Sequence, residues 1–239
     1  LFMAAGIVDH ESGTRDIRRL SGLQKMMPIT GTLAMVASAA MAGVPLLNGF
    51  LSKEMFFAET VYINTTPFLT TALPVAATLA GIFSVAYSLR FTVDVFFGPP
   101  ATDLPHEPHE PPHWMRVPVE LLVLICLLVG IFPAWAVGSY LDAAASPVVG
   151  GNLPEFSLAL WHGINAPLVM SIIAMLAGIL LYLLLRLLRA KQYLDDAPLV
   201  GRVNGQWVFQ AVMAIITNGA RHMRRWLGTR RWQWQALWL

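Results

Sequence analysis

The chain has 239 residues, of which 56% are hydrophobic and only 13% charged, with a mean hydropathy of +0.59. Soluble domains run near a quarter charged, so this composition excludes a water-soluble core and points to a polytopic membrane protein. Sixteen Lys and Arg against 14 Asp and Glu leave a formal charge of +2, too balanced for a nucleic-acid partner, and one Cys excludes a disulfide framework, a Cys-based zinc site and an iron–sulfur cluster.

A crossing helix needs roughly 20 apolar residues. The first stretch, Leu1 to Val8, is too short and reads as the tail of a helix that begins upstream. Four complete windows follow: Ile29 to about Val61, Phe68 to Phe97, Val117 to Tyr140, and Ala166 to Leu188. The last run, Trp234 to Leu239, is still apolar where the sequence stops, so both ends read as cuts within a longer protein. The expected division is a transmembrane region over 1–198 and, over 199–239, an amphipathic helix followed by the start of another segment. Fold class is all-α, a transmembrane helical bundle.

Basic residues set the expected orientation. The loop from Asp9 to Pro28 carries Arg15, Arg18, Arg19 and Lys25, and the link from Tyr62 to Pro67 carries none. The segment Asp103 to Arg116 holds one, Leu141 to Asn165 none, and Arg186, Arg189, Lys191 and Arg202 follow the fourth window. This alternation places Asp9, the His-rich loop and the tail inside, with residues 64 and 152 outside. In the tail, Val208, Val212, Ile215, Ile216, Met223 and Leu227 fall at helical spacing while Arg221, His222, Arg224 and Arg225 crowd the last turns. That pattern fits a helix lying along the cytoplasmic surface better than a crossing.

The first window is too long for one straight crossing, since about 33 residues make a helix of about 50 Å. Gly43, Pro45 and Gly49 supply a break, because proline lacks an N–H and the glycines ease unwinding. A broken helix leaves carbonyls free to hold ions or water; the plainer reading is a packing kink. Eight residues past Pro45 stands Lys53, followed by Glu54, in apolar surroundings. Ionisable groups there are functional-site candidates, and a partly dehydrated lysine suits proton relay, although a lysine near a window's end also snorkels to the interface. Arg90 and Asp94 share a helix face and read chiefly as an intrahelical ion pair. Glu120 reads as a carboxylate at a helix N-terminus, or as a proton acceptor. His106, His109 and His113 lie in a proline-rich run that reads as an extended, solvated loop without fixed ligand geometry, so no metal is assigned. Cys126 reads as a small apolar residue.

In combination these residues resemble a family. The run from Leu1 to Leu23, with Asp9-His10-Glu11 and Gly13-Thr14-Arg15-Asp16, and the run from Gly43 to Lys53-Glu54, are similar to the large A subunit of the Mrp-type multisubunit monovalent cation/proton antiporters. Its wider superfamily includes the antiporter-like subunits of respiratory complex I. Tyr87 to Arg90, Asp94 to Gly98, and Pro118 to Leu122 look more like the Mrp branch, and the likeness extends over essentially the whole chain.

The resemblance implies a core of broken helices with a line of buried Lys, His and Glu, in which Lys53 matches the terminal lysine. It also implies a lateral surface helix over Gly205 to Gly228. Auxiliary roles fall to Glu54, Asp9, His10, Arg90, Asp94 and Glu120. On this reading the chain is a multi-pass part of a bacterial inner-membrane sodium/proton antiporter, exchanging Na+ and H+, contacting lipid and the other subunits, and needing no redox cofactor. The alternatives are a proton-pumping component of a complex I or membrane-bound hydrogenase relative, and a structural scaffold.

Overall fold

The computed structural model describes residues 1–63, 66–150, 158, 163–190 and 205–227, and the regular structure among them is entirely helical. The chain divides into two compact units, Leu1–Leu185 and Arg186–Leu239. The expected boundary at residue 198, the sites at residues 64 and 152, and the segment after Gly228 lie outside the described residues.

Helix α1 (Phe2–Ser12) leads through a loop and a short 3-10 turn (Leu23–Lys25) into α2 (Pro28–Ala42), which starts with proline at its first position, where no N–H is needed. After an interruption comes α3 (Asn48–Tyr62). The window from Ile29 to Val61 thus divides into two helices of 15 residues each. At about 22 Å, either one is shorter than a hydrocarbon core of about 30 Å.

Helix α4 (Pro67–Arg90) continues into one π-helical turn, Phe91–Phe96, and with it forms the first of three helices, among the described residues, long and apolar enough to cross a membrane. The second is α5 (His113–Ile131) and the third α7 (Ala166–Ala190). The third sequence window does not run through as expected. Pro133 lacks an amide hydrogen and clashes with the preceding turn, so α5 ends at Ile131 and a separate helix, α6 (Pro133–Val149), begins there. Because α5 starts at His113, Glu120 sits in its second turn, not at its N-terminus, and its Oε1 lies 3.8 Å from Arg116 Nε.

The core gathers Ile7 and Val8 of α1, Leu23 and Met27 of the first loop, Ala34 of α2, Phe96 of the π turn and Val123 of α5. Small residues bring α7 against α4: a Cβ on Gly178 would lie 2.6 Å from that of Val85, and one on Gly81 would meet Ala174 at 3.0 Å. Away from these contacts, Leu121, Leu124, Leu176, Leu180 and Leu184 are exposed, as suits helices whose outer solvent is lipid. In the second unit, α8 (Gly205–Leu227) carries exposed Trp207, Phe209, Val212, Ile215 and Ile216, with Arg221 and Arg224 in its last two turns.

The His-rich loop exposes His106, His109 and His113, as expected of a solvated segment, yet it is fixed at several points. Glu110 reaches across to cap α2, accepting from the N–H of Ile29 at 3.1 Å and of Thr30 at 2.9 Å, and from the Thr30 hydroxyl at 2.6 Å. Met27, which precedes α2, has no side-chain acceptor to offer, so a distant carboxylate does the capping and meets the positive end of the helix dipole. His109 Nδ1 lies 2.9 Å from the buried Glu11, and the His106 amide donates to Ser12 O. Glu110→Ala is therefore expected to cost about 1–2 kcal/mol. Thermal unfolding of the detergent-solubilised protein, followed by circular dichroism, checks this; an unchanged midpoint would show that the cap is not needed.

Candidate functional site: a lysine at an interrupted helix

Helix α2 ends in a Schellman motif. The Gly43 N–H donates to Ala40 O at 3.0 Å and the Val44 N–H to Ala39 O at 3.0 Å, while Gly43 takes φ +82°, a conformation costly for any residue with a Cβ. Every α-helix leaves its last four carbonyls without helical partners. The motif satisfies two of them, leaving Met41 and Ala42. Lys53 Nζ donates to Ala42 O at 2.9 Å and the Ser84 hydroxyl donates to Met41 O at 2.9 Å. Lys53 Nζ also donates to Ser84 Oγ at 3.2 Å, which closes the group.

Several residues make room for this arrangement. A Cβ on Gly43 would come within 2.7 Å of Lys53 Cδ, so the bare glycine admits the lysine stem. A Cβ on Gly49 would collide with Ala40 O, so only glycine lets the start of α3 lie against the last turn of α2. Pro45 stands in the intervening turn, where Leu46 adopts φ +70°. Asn48, at the start of α3, accepts from the Cys126 thiol at 2.9 Å, so Cys126 is more than an apolar filler.

Lys53 is half-buried, with its ammonium beside the C-terminal end of α2, where the helix dipole favours a cation. Its neighbour Glu54 is buried and turned elsewhere, lining a cleft of about 400 Å³ with Met55, Glu59, Tyr62, Asn165 and Pro167. Arg90 Nε stands 3.6 Å from Asp94 Oδ2, and Tyr182 of α7 donates to Asp94 Oδ1 at 3.0 Å. Asp9 and His10 lie at the end of α1, engaged with Arg15 at 2.7 Å and Glu11 at 3.1 Å. Neither is a hydrogen-bond partner of Lys53. Glu120 pairs with Arg116. In the first loop, hydrogen bonds from Arg18 hold the Asp16 carboxyl at about 2, well below the usual carboxylate range. Among the described residues no three His, Cys, Asp or Glu side chains assemble into a metal site.

The sequence reading missed Ser84, Glu110 and Tyr182. Ser84 carried no distinguishing signal, because it is one of several hydroxyl residues along α4, with Thr70, Thr71, Thr78 and Ser88. Glu110 carried none either, because its partners are some 80 residues away.

A family profile described as NADH:quinone oxidoreductase/Mrp antiporter, TM, matches residues 1–80. The chain is 56% identical over 98% of its length to the probable K+/H+ antiporter A/B subunit of Rhizobium meliloti (strain 1021), covering 23% of that protein. It is 34% identical over 94% of its length to the A subunit of the Na+/H+ antiporter of Alkalihalophilus pseudofirmus, covering 29% of it. One polypeptide in the structure of the Mrp complex from Dietzia sp. DQ12-45-1b superposes with a TM-score of 0.70 at 28% identity, over 99% of this chain and 25% of that one. The chain spans about a quarter of the length of these relatives. It belongs to the family of the large A subunits of Mrp-type antiporters, within whose antiporter-like membrane part it lies.

Proposed function

We propose that this chain supplies one proton-transfer step of monovalent cation/proton exchange, with Lys53 as the group that takes up and releases the proton. The observation that carries this reading is the ammonium held on Ala42 O and Ser84 Oγ at a helix interruption between apolar helices. An ionisable group costs too much there to persist without a use. Lysine suits the task because its ammonium can lose a proton, whereas a guanidinium stays charged. The relatives are named for potassium and for sodium, so the exchanged ion is taken as a monovalent cation and both are to be measured. The family profile also covers quinone-linked subunits, but the antiporter names of the relatives favour exchange driven by cation gradients. The partners are the other subunits of such an assembly, and the outer surfaces of α5 and α7 meet lipid.

Lys53→Ala in the assembled antiporter is expected to lower cation-driven proton movement by about a hundredfold or more, in line with the loss of a proton-transfer group. Lys53→Arg should also fail, while assembly is retained. Everted vesicles with a pH-sensitive dye, given Na+ or K+, measure this; exchange at the wild-type rate in Lys53→Ala would refute the assignment.

The proposed orientation puts the basic loops inside. Single cysteines in a Cys126→Ala background test it, at exposed positions rather than at Ser12, which is buried and bonded to Val8 O. Thr66→Cys and Ile164→Cys should react with an impermeant thiol reagent added to intact cells, whereas Arg15→Cys and Thr102→Cys should not. The reverse pattern would invert the topology.

A further inference from the structure

If Lys53 exchanges protons, as proposed above, they must reach it. The next acidic side chain along α4 is Asp94, ten residues and about 15 Å beyond Ser84. A proton hop covers only a hydrogen-bond distance, so intermediate groups are needed.

Two contacts fix how α2 and α4 lie. Ser84 meets Met41 near the C-terminal end of α2, and Phe96 lies within 3.1 Å of a Cβ placed on Gly31, near its N-terminal end. The helices are therefore antiparallel, and ten residues of α2 run alongside twelve of α4 and its π turn. Three residues down α2 from Met41 is Ser38, and four down α4 from Ser84 is Ser88, which brings the two serines to one level. Ser38 is seven residues from Gly31 and so shares its face; Ser88 is one turn from Ser84 and shares its side of α4.

Both serines are buried, at 2% and 1% exposure, and neither hydroxyl has a hydrogen-bond partner among the described residues. Two residues beyond Ser88, the buried Arg90 Nε is held in the ion pair with Asp94, 3.6 Å from its Oδ2. Buried polar groups in folded proteins are almost always satisfied, and where no protein atom does so, ordered water does. The two serines, brought to one level between α2 and α4, mark a place for ordered water.

We infer that Ser38 and Ser88 line a water-holding slot between α2 and α4 that, with Ser84, carries protons between Lys53 and the Asp94 end of the helix. Each transfer breaks one O–H bond as the next forms. A proton arriving at the Asp94 end leaves one water for the next, and the last step forms an N–H bond on the neutral amine of Lys53. Every serine hydroxyl passes on one proton as it receives another, so no charge stays on it. The Ser84 hydroxyl, already bonded to both Lys53 and Met41 O, is the last member of the line.

The test uses the assembled antiporter in everted vesicles, in a Cys126→Ala background that sets the baseline. Ser38→Ala with Ser88→Ala removes both hydroxyls and is expected to lower exchange turnover about tenfold or more, with an unchanged half-saturating cation concentration and normal assembly. Ser88→Cys and, separately, Ser38→Cys place a thiol in the slot. Ag+, small enough to follow water, should then inhibit exchange at concentrations that spare the background protein. Wild-type turnover in the double variant, or Ag+ insensitivity of both cysteine variants, overturns the slot. Should the double variant fail to assemble, the Ag+ result decides alone. Lys53→Ala in the same vesicles separates the two readings. Wild-type exchange there defeats the lysine assignment itself, whereas its loss combined with normal exchange in the double serine variant defeats only the slot.

Discussion

The four carbonyls at the end of α2 must find hydrogen-bond donors in surroundings that offer little water, and the site is built around how they do so. In a lipid-embedded bundle an unsatisfied carbonyl costs several kcal/mol, far more than at a wet surface. The backbone meets half of the requirement through the N–H groups of Gly43 and Val44. Side chains from α3 and α4 meet the other half. Lys53 is thus as much a part of the helix terminus as a candidate proton carrier, and removing it strands Ala42 O.

The same helix is complemented electrostatically at both ends by residues remote in sequence. Glu110 brings a carboxylate to its N–H end, and Lys53 brings an ammonium to its carbonyl end. Fifteen residues of α2 therefore sit between a negative and a positive charge, each placed against the opposite pole of the dipole. This gives the His-rich loop a structural part. By delivering Glu110 it seats α2, and the position of α2 sets where the carbonyls for Lys53 lie.

Much of the fold was legible because hydrophobic length and proline position are local signals. The span around α4, the helix over Gly205–Leu227 and the interruption between Gly43 and Gly49 follow from runs of apolar residues and from where glycine and proline cut them. Lys53 stood out for the same reason, as a charge in an apolar run. The division of the third window at Pro133 was signalled by the proline itself but masked by the apolar residues on either side. The partners of Lys53 were not legible. Ser84 meets Lys53 and Met41 only through the crossing of α2 and α4, and pairings across 31 and 43 residues leave no periodicity to read. Arg90 and Asp94, by contrast, are four residues apart on one helix, and their ion pair is present.

These hydrogen bonds also bear on how proton transfer and structure would be linked. On the proposed reading, releasing the proton turns the donor on Ala42 O from an ammonium into a neutral amine, and a charge-assisted hydrogen bond is roughly twice as strong as a neutral one. The helix C-terminus then loses its cation as well, so the charged state favours a tight interruption and the neutral state a looser one. Ser84 is the group able to respond. With Lys53 charged, its hydroxyl accepts from the ammonium and donates to Met41 O. With Lys53 neutral it can instead donate to the amine nitrogen, and Met41 O must then take its hydrogen bond from water. One proton thereby changes the bonding of two backbone carbonyls, and any motion coupled to exchange has a physical origin at the point where α2 stops.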